Sequence, residues 1–196
     1  MSLSVKLEWK GPATWQKLAP LKEAHLSGVY VWIVRDGGWP TYIGMSNSVR
    51  NRVFAEFTEI LGGGWQLYEP ARLVSGAIRK NGDLDPRYEP SLDKIYGAEF
   101  HNDFKQLSAL AVENLKLMDV YWAEVRPLVD VRFAVESALI NAARDKCPDA
   151  LQNMRVSRGH DTAIAVTVRH PFPKECRLSR ELPSSITYGT RASAQL

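Results

Sequence analysis

The sequence predicts a small α/β (α+β) unit with a central, mainly antiparallel three-stranded sheet flanked by helices, a long stretch inserted before the third strand and a C-terminal extension. Three observations predict it. Val29-Tyr30-Val31-Trp32-Ile33-Val34 and Thr41-Tyr42-Ile43 are β-branched and aromatic, and Asp36-Gly37-Gly38 between them is turn chemistry, the pattern of a β-hairpin. Val49, Val53, Phe57 and Ile60, and later Val131, Val135, Ala138, Leu139 and Ala142, repeat at helical spacing, so two helices lay apolar stripes on that sheet. Val120 to Val125 reads as the third strand, with Arg126-Pro127 leading out.

The chain has 196 residues, 45% of them hydrophobic, enough for one sizeable core or a small catalytic domain with an inserted subdomain. A single globular unit is the expectation. A net charge of +3 and a pI near 8.9 admit a nucleic-acid partner without requiring one. Two cysteines, Cys147 and Cys176, are too few for a zinc cluster and are read as reduced thiols. No stretch approaches the roughly 20 apolar residues of a membrane span, and Met1 to Gly11 is too polar for a signal peptide. The expectation is a soluble, cytoplasmic protein without membrane contact.

Taken in order, residues 1–27 form a lead-in, with Val5 to Trp9 as an edge strand and Pro12 to Leu18 as a helical turn. In the hairpin, Tyr30 and Tyr42 fall on one face if no bulge intervenes. Ser46 or Ser48 caps the first helix, Gly62-Gly63-Gly64 ends it, and Arg52 lies beside its apolar stripe. Residues 62–117 are less legible: Trp65 to Tyr68 is an ordered piece, Asn81-Gly82-Asp83 and Asp85-Pro86 mark a turn and a loop, and Phe104, Leu107, Ala111 and Leu115 form one face of a helix over Asn102 to Lys116. This stretch contacts DNA, makes a dimer interface or covers the core. Asp130 is a good N-cap for a helix over Val131 to Lys146, which carries Glu136 at the edge of its buried face; Cys147-Pro148 stops it before Leu151-Gln152-Asn153. Thr162 to Val168 is a further strand, and Pro183 to Leu196 a frayed tail.

Gly28-Val29-Tyr30, Tyr42-Ile43-Gly44 and Arg52 on the following helix, joined downstream by Glu136-Ser137-Ala138-Leu139-Ile140, Pro148 and Leu151-Gln152-Asn153, resemble the signature of the GIY-YIG nuclease superfamily, with Val in place of the usual Ile in the first triplet. The run Tyr42 to Val53 is similar to that of the nuclease subunit of bacterial nucleotide excision repair, whereas the layout is closer to a stand-alone restriction-type endonuclease. The resemblance implies a catalytic core of residues 28–61 and 118–153, an insertion at 62–117 and an extension at 154–196. It implies a metal-dependent DNA endonuclease, acting on double-stranded DNA, with Tyr30, Tyr42, Arg52, Glu136 and Asn153 as its site.

Phosphodiester hydrolysis needs a deprotonated water, charge stabilisation on the phosphate and help for the leaving oxygen. A lone carboxylate such as Glu136 can hold one Mg²⁺ or Mn²⁺ mainly through its waters, which is a one-metal site. Arg52 suits a phosphate because its fork binds two oxygens and stays charged. Tyr30 is the general base that the resemblance implies, a role that needs Arg52 and the metal to lower its phenol; Tyr42 orients the water or a phosphate oxygen, and Asn153 supports the geometry. Many relatives carry a His or Tyr one turn after the Arg. Here that position is Glu56, readable as a base, a water anchor or a salt-bridge partner that neutralises Arg52. His101 and His160 are auxiliary candidates for the missing group, and Arg50, Arg155 and Arg158 for the nucleic-acid backbone.

Each residue alone has a plainer reading: strand aromatics for the tyrosines, solvated i,i+4 pairs for Arg52 with Glu56 and for Arg132 with Glu136, and a turn for Asn153. The rival function is a DNA-binding or scaffolding module with this fold and little cleavage. Cutting both strands with one site per chain asks for two chains or two encounters, so the reading admits a homodimer.

Overall fold

The computed structural model describes residues 2–14, 17, 26–90, 98–126, 128–153 and 164–189. It is a mixed α+β structure. The chain runs through β1 (Ser2–Lys6), β2 (Lys10–Ala13), β3 (Gly28–Val34), β4 (Pro40–Ser46), α1 (Val49–Leu61), α2 (Pro70–Ser75), β5 (Arg79–Lys80), β6 (Asp83–Leu84), α3 (Ala98–Asn102), α4 (Phe104–Leu117), β7 (Met118–Glu124), α5 (Val129–Lys146), β8 (Ala165–Arg169), α6 (Leu178–Glu181) and β9 (Ser185–Tyr188).

The central sheet has four strands rather than three, in the order β2-β7-β3-β4, and every neighbouring pair is antiparallel. All seven residues of β3 are buried, because the sheet is covered on both faces. The period of two divides its side chains between two cores. Val29, Val31 and Ile33 face α5 residues such as Val135, Ala138 and Leu139. Tyr30, Trp32 and Val34 face Val49, Val53, Phe57 and Ile60 of α1 together with Leu107, Ala111 and Leu115 of α4.

The lead-in departs from the sequence expectation. Its first strand is Ser2–Lys6, and it pairs in parallel with β8 in a second sheet ordered β1-β8-β9. One edge of the central sheet is Lys10–Ala13, which takes Pro12 and Ala13 out of the helical turn expected over Pro12 to Leu18; among the described residues of that stretch, the Lys17 amide donates to the Thr14 carbonyl at 3.0 Å in a 3-10 turn. Pro12 lacks a donor and suits an edge strand, while a Cβ at Gly11 would lie 2.8 Å from the Val120 carbonyl oxygen, so only glycine fits that approach. The expected tail also contains structure: Ser185–Tyr188 pairs antiparallel with β8. Of the strand expected over Thr162 to Val168, Thr162 and Ala163 lie outside the described residues, and the strand is seen as Ala165–Arg169.

Residues from the 62–117 stretch cover the α1 face of the core with Leu67, Tyr68, Leu73, Ile78 and Phe100. Buried Asn114 ties this layer down, accepting from the Tyr68 amide at 2.9 Å and donating to the Tyr68 carbonyl at 2.7 Å. Phe104, expected on the buried face of α4, is 54% exposed; it starts the helix and stacks edge-on against Phe100. Helix α5 begins at Val129 with Leu128 as its N-cap, so Asp130 lies in the first turn, where its charge still complements the helix dipole. Ser48 takes the N-cap position of α1 without a side-chain cap; the Ser48 amide donates instead to Ser46 Oγ at 3.0 Å. No helix among the described residues is long and apolar enough to cross a membrane.

Candidate functional site

Antiparallel register sets Tyr30 opposite Gly44 and Trp32 opposite Tyr42. The two tyrosine rings share a face, with centroids 6.2 Å apart. Two glycines make this packing possible by close approach. A Cβ at Gly44 would lie 2.4 Å from the Tyr30 hydroxyl oxygen, and one at Gly28 would lie 2.1 Å from the Ala123 carbonyl oxygen. Any side chain at 44 would displace the phenol, and any at 28 would push β3 from β7.

Helix α1 presents Arg52 and Glu56 to this face one turn apart. Glu56 is fully buried and accepts from the Tyr30 hydroxyl at 2.6 Å and from Trp32 Nε1 at 3.1 Å, while Arg52 Nε lies 3.0 Å from its Oε1. Arg52 also bonds to the hydroxyls of Tyr30 and Tyr42 and keeps 43% of its side chain exposed. The pair is therefore no solvated helical ion pair: its carboxylate is inside the core and only its guanidinium reaches solvent. The sequence carried a signal for this, because Val49, Val53, Glu56 and Ile60 fall on one helical stripe. Trp32 was missed as a site residue, although two residues from Tyr30 on one strand places it on the same face.

The electrostatics follow from burial. Desolvation raises the Glu56 carboxyl to about 7 against the pull of Tyr30, Arg52 and Trp32. Burial and then Glu56 push the Tyr30 phenol well above its ordinary value, outweighing Arg52; burial first, then Glu56, raises Tyr42 too. Arg52 does pull the Tyr30 phenol down, as the general-base role requires, but burial and Glu56 outweigh it. Tyr30 is a protonated donor to Glu56.

The other half of the site is built on the free edge of β4, whose outward backbone groups meet a row of partners. The Gln152 amide donates to the Thr41 carbonyl at 2.7 Å. Asn153 clamps Ile43, its Oδ1 accepting from the amide and its Nδ2 donating to the carbonyl, both at 2.8 Å. The Met45 amide donates to Glu136 on α5, and Arg132, one turn earlier on α5, donates to Asn47 Oδ1. Arg132 thus pairs with the strand end rather than with Glu136.

Glu136 is half-buried, and desolvation lifts its carboxyl to about 7 although the Met45 bond pulls it down. Its charge also contributes, least of the causes, to raising Tyr42. Among the described residues no three His, Cys, Asp or Glu side chains converge, so a metal bound here would have Glu136 as its carboxylate and would keep much of its own water. That fits a hard cation such as Mg²⁺.

Tyr30, Tyr42, Arg52 and Glu56 are brought together, whereas Glu136 is bonded to the β4 edge at Met45 and Asn153 to the same edge at Ile43. Arg50 is half-buried in the first turn of α1. His101 is exposed on α3, and among the described residues no hydrogen bond or ion pair joins it to the cluster. His160, Arg155 and Arg158 lie outside the described residues. A recess of about 280 Å³ lined by Tyr42, Trp65, Pro90 and Gln152 opens beside the cluster. A larger cleft of about 740 Å³, between Trp9, Tyr121, His170 and Phe172, shares no residue with it.

Asn153→Ala is expected to lower stability by about 2 kcal/mol, since two buried hydrogen bonds to Ile43 go and leave an amide and a carbonyl unsatisfied. Urea denaturation measures this, and a loss under about 0.5 kcal/mol would show that the edge is held without it. No family model, curated protein or solved structure matches this chain.

Proposed function

We propose that this chain is a metal-dependent DNA endonuclease with a GIY-YIG-like, one-metal site. The observation that supports the reading is the meeting of Tyr30, Tyr42 and Arg52 on one face, with Glu136 of α5 bonded to the Met45 amide on the edge of β4, the strand that carries Tyr42. Phenols that donate, a guanidinium with an exposed end and a separate carboxylate are the groups that hydrolysis of a phosphodiester uses.

In this reading Arg52 binds two oxygens of the scissile phosphate, and Tyr42 donates a hydrogen bond to it. A water proton passes to the Tyr30 oxygen while the Tyr30 proton passes to Glu56 along the 2.6 Å hydrogen bond. Glu56 is thus the base and Tyr30 the relay, and a carboxyl near 7 suits that work at neutral pH. The hydroxide forms a bond to phosphorus, the bond to the 3′ oxygen breaks, and that oxygen takes a proton from solvent. Glu136 would hold a hydrated Mg²⁺ or Mn²⁺, which supplies positive charge for the phosphate and the leaving oxygen. Burial of Glu56 and Tyr30 excludes competing water from the relay.

The same burial favours a second reading, a DNA-binding module that keeps the arrangement and cuts little, because Tyr30 is 1% and Glu56 0% exposed. Incubating the purified chain with supercoiled plasmid separates the two. Nicking with Mg²⁺ that EDTA abolishes supports the nuclease, and retardation of the plasmid without nicking supports the module.

A further inference from the structure

Arg132 is 3% exposed, yet among the described residues no carboxylate pairs with it, and its Nε has no hydrogen-bond partner. A guanidinium keeps its charge at any working pH, and burying one without a counter-ion is costly. Its Nη2 donates to Asn47 Oδ1. An arginine offers only donors, so this bond turns the Asn47 amide with its oxygen inward and its NH₂ group outward, where Asn47 is exposed.

The next residue repeats the pattern. Ser48 occupies the N-cap of α1, but its Oγ caps nothing and is buried without a partner. Neighbouring backbone donors are already used: the Ser48 amide goes to Ser46 Oγ and the Val49 amide to the Leu26 carbonyl, each at 3.0 Å. An amide NH₂, a hydroxyl, the buried cation and the positive end of a 13-residue helix remain at one place, and all of them favour an anion. Asn47 lies two residues beyond Met45, the residue bound by Glu136, at the bend where β4 gives way to α1.

We propose that Asn47 and Ser48 form a subsite for the nucleic-acid phosphate next to the one cut, with Arg132 as the positioning residue that orients Asn47 and supplies fixed positive charge. The proposal rests on the nucleic-acid reading above and gives that site a direction, with the strand continuing past the N-terminus of α1.

The test is binding of a short labelled DNA duplex in EDTA, followed by fluorescence anisotropy across a salt series, so that no step depends on cleavage. Arg132→Gln is expected to weaken binding about tenfold and to reduce the slope of log Kd against log salt by about one. Arg132→Lys keeps the charge and is expected to retain the slope. Asn47→Asp acts from the exposed side and leaves the core unchanged, so it carries the test even if Arg132→Gln fails to fold; the new carboxylate pairs with Arg132, repels phosphate and is expected to give the same loss. Lys6→Gln, an exposed cation on β1, is the control with an unchanged slope. Unchanged slopes in Arg132→Gln and Asn47→Asp overturn the subsite, as does a loss of affinity with no change of slope. A parent chain that binds no duplex overturns the subsite and the nucleic-acid reading together. A parent that binds, with the expected slope losses, but never nicks plasmid in Mg²⁺ keeps the subsite and removes the nuclease.

Discussion

Glu136→Ala is expected to lower Mg²⁺-dependent nicking by about a thousandfold or more, or ~4 kcal/mol of transition-state stabilisation. Glu136 is the carboxylate that reaches the β4 edge, and among the described residues no neighbouring acidic cluster can take over a cation. The structural cost is small by comparison. The Met45 amide loses one acceptor, ~1 kcal/mol, and a half-buried carboxyl that is costly to ionise is removed. Glu136→Gln keeps an acceptor for Met45 and isolates the charge, so its nicking rate should fall as far while its melting temperature stays close to that of the parent. Plasmid nicking and thermal melts on the same preparations decide it: a Glu136→Ala rate within tenfold of the parent would remove Glu136 from the chemistry.

Glu56→Ala is expected to cost about 3 kcal/mol of stability, because a fully buried carboxylate that binds Tyr30, Trp32 and Arg52 leaves two buried donors without an acceptor. The half-exposed Arg52 can turn to solvent, which keeps the cost from rising further. The groups facing this carboxyl are Tyr30 and Trp32 from β3, and Arg52 and Glu59 from α1, with Tyr42 of β4 also raised by its charge. Its folded value of about 7 stands above the 4.5 of an ordinary glutamate, so the folded state holds the proton more tightly. The stability this contributes is complete below pH ~4.5 and is lost as pH rises through 7, a change of about 3 kcal/mol. Urea denaturation across that range should show the slope in the parent and a smaller one in Glu56→Gln, since Glu136 contributes in the same sense to both proteins. Activity runs the other way. A base must be ionised, so the cleavage rate should rise with pH through about 7 and then level, and equal slopes of stability in parent and variant would refute the placement of Glu56.

The parts legible in the sequence were those specified by short-range pattern. The hairpin, α1, β7 and α5 each carry their own period, and Tyr30 and Tyr42 share a face because register in a short hairpin is local. β2 was hidden because a four-residue edge strand containing Gly11 and Pro12 has no periodicity to detect. β9 was hidden because its Ser and Thr residues imitate a tail and pair only with a strand about 20 residues away. The site divides along the same line. Glu56 could be placed on the buried stripe of its own helix, whereas the partners of Arg132 and Asn153, Asn47 just past β4 and Ile43 within it, lie 85 and 110 residues away in sequence. No local pattern distinguishes such contacts from an exposed ion pair or a turn.

The row of partners along β4 also bears on how copies of this molecule meet. An outermost strand with bare amides and carbonyls is a template on which another chain can lay its own strand. The Thr41 carbonyl, both Ile43 groups and the Met45 amide are taken by Gln152, Asn153 and Glu136, so four of the bonds a docking strand would use on this flank are occupied. Loosening the 152–153 segment would expose it, and the first symptom should be concentration-dependent turbidity.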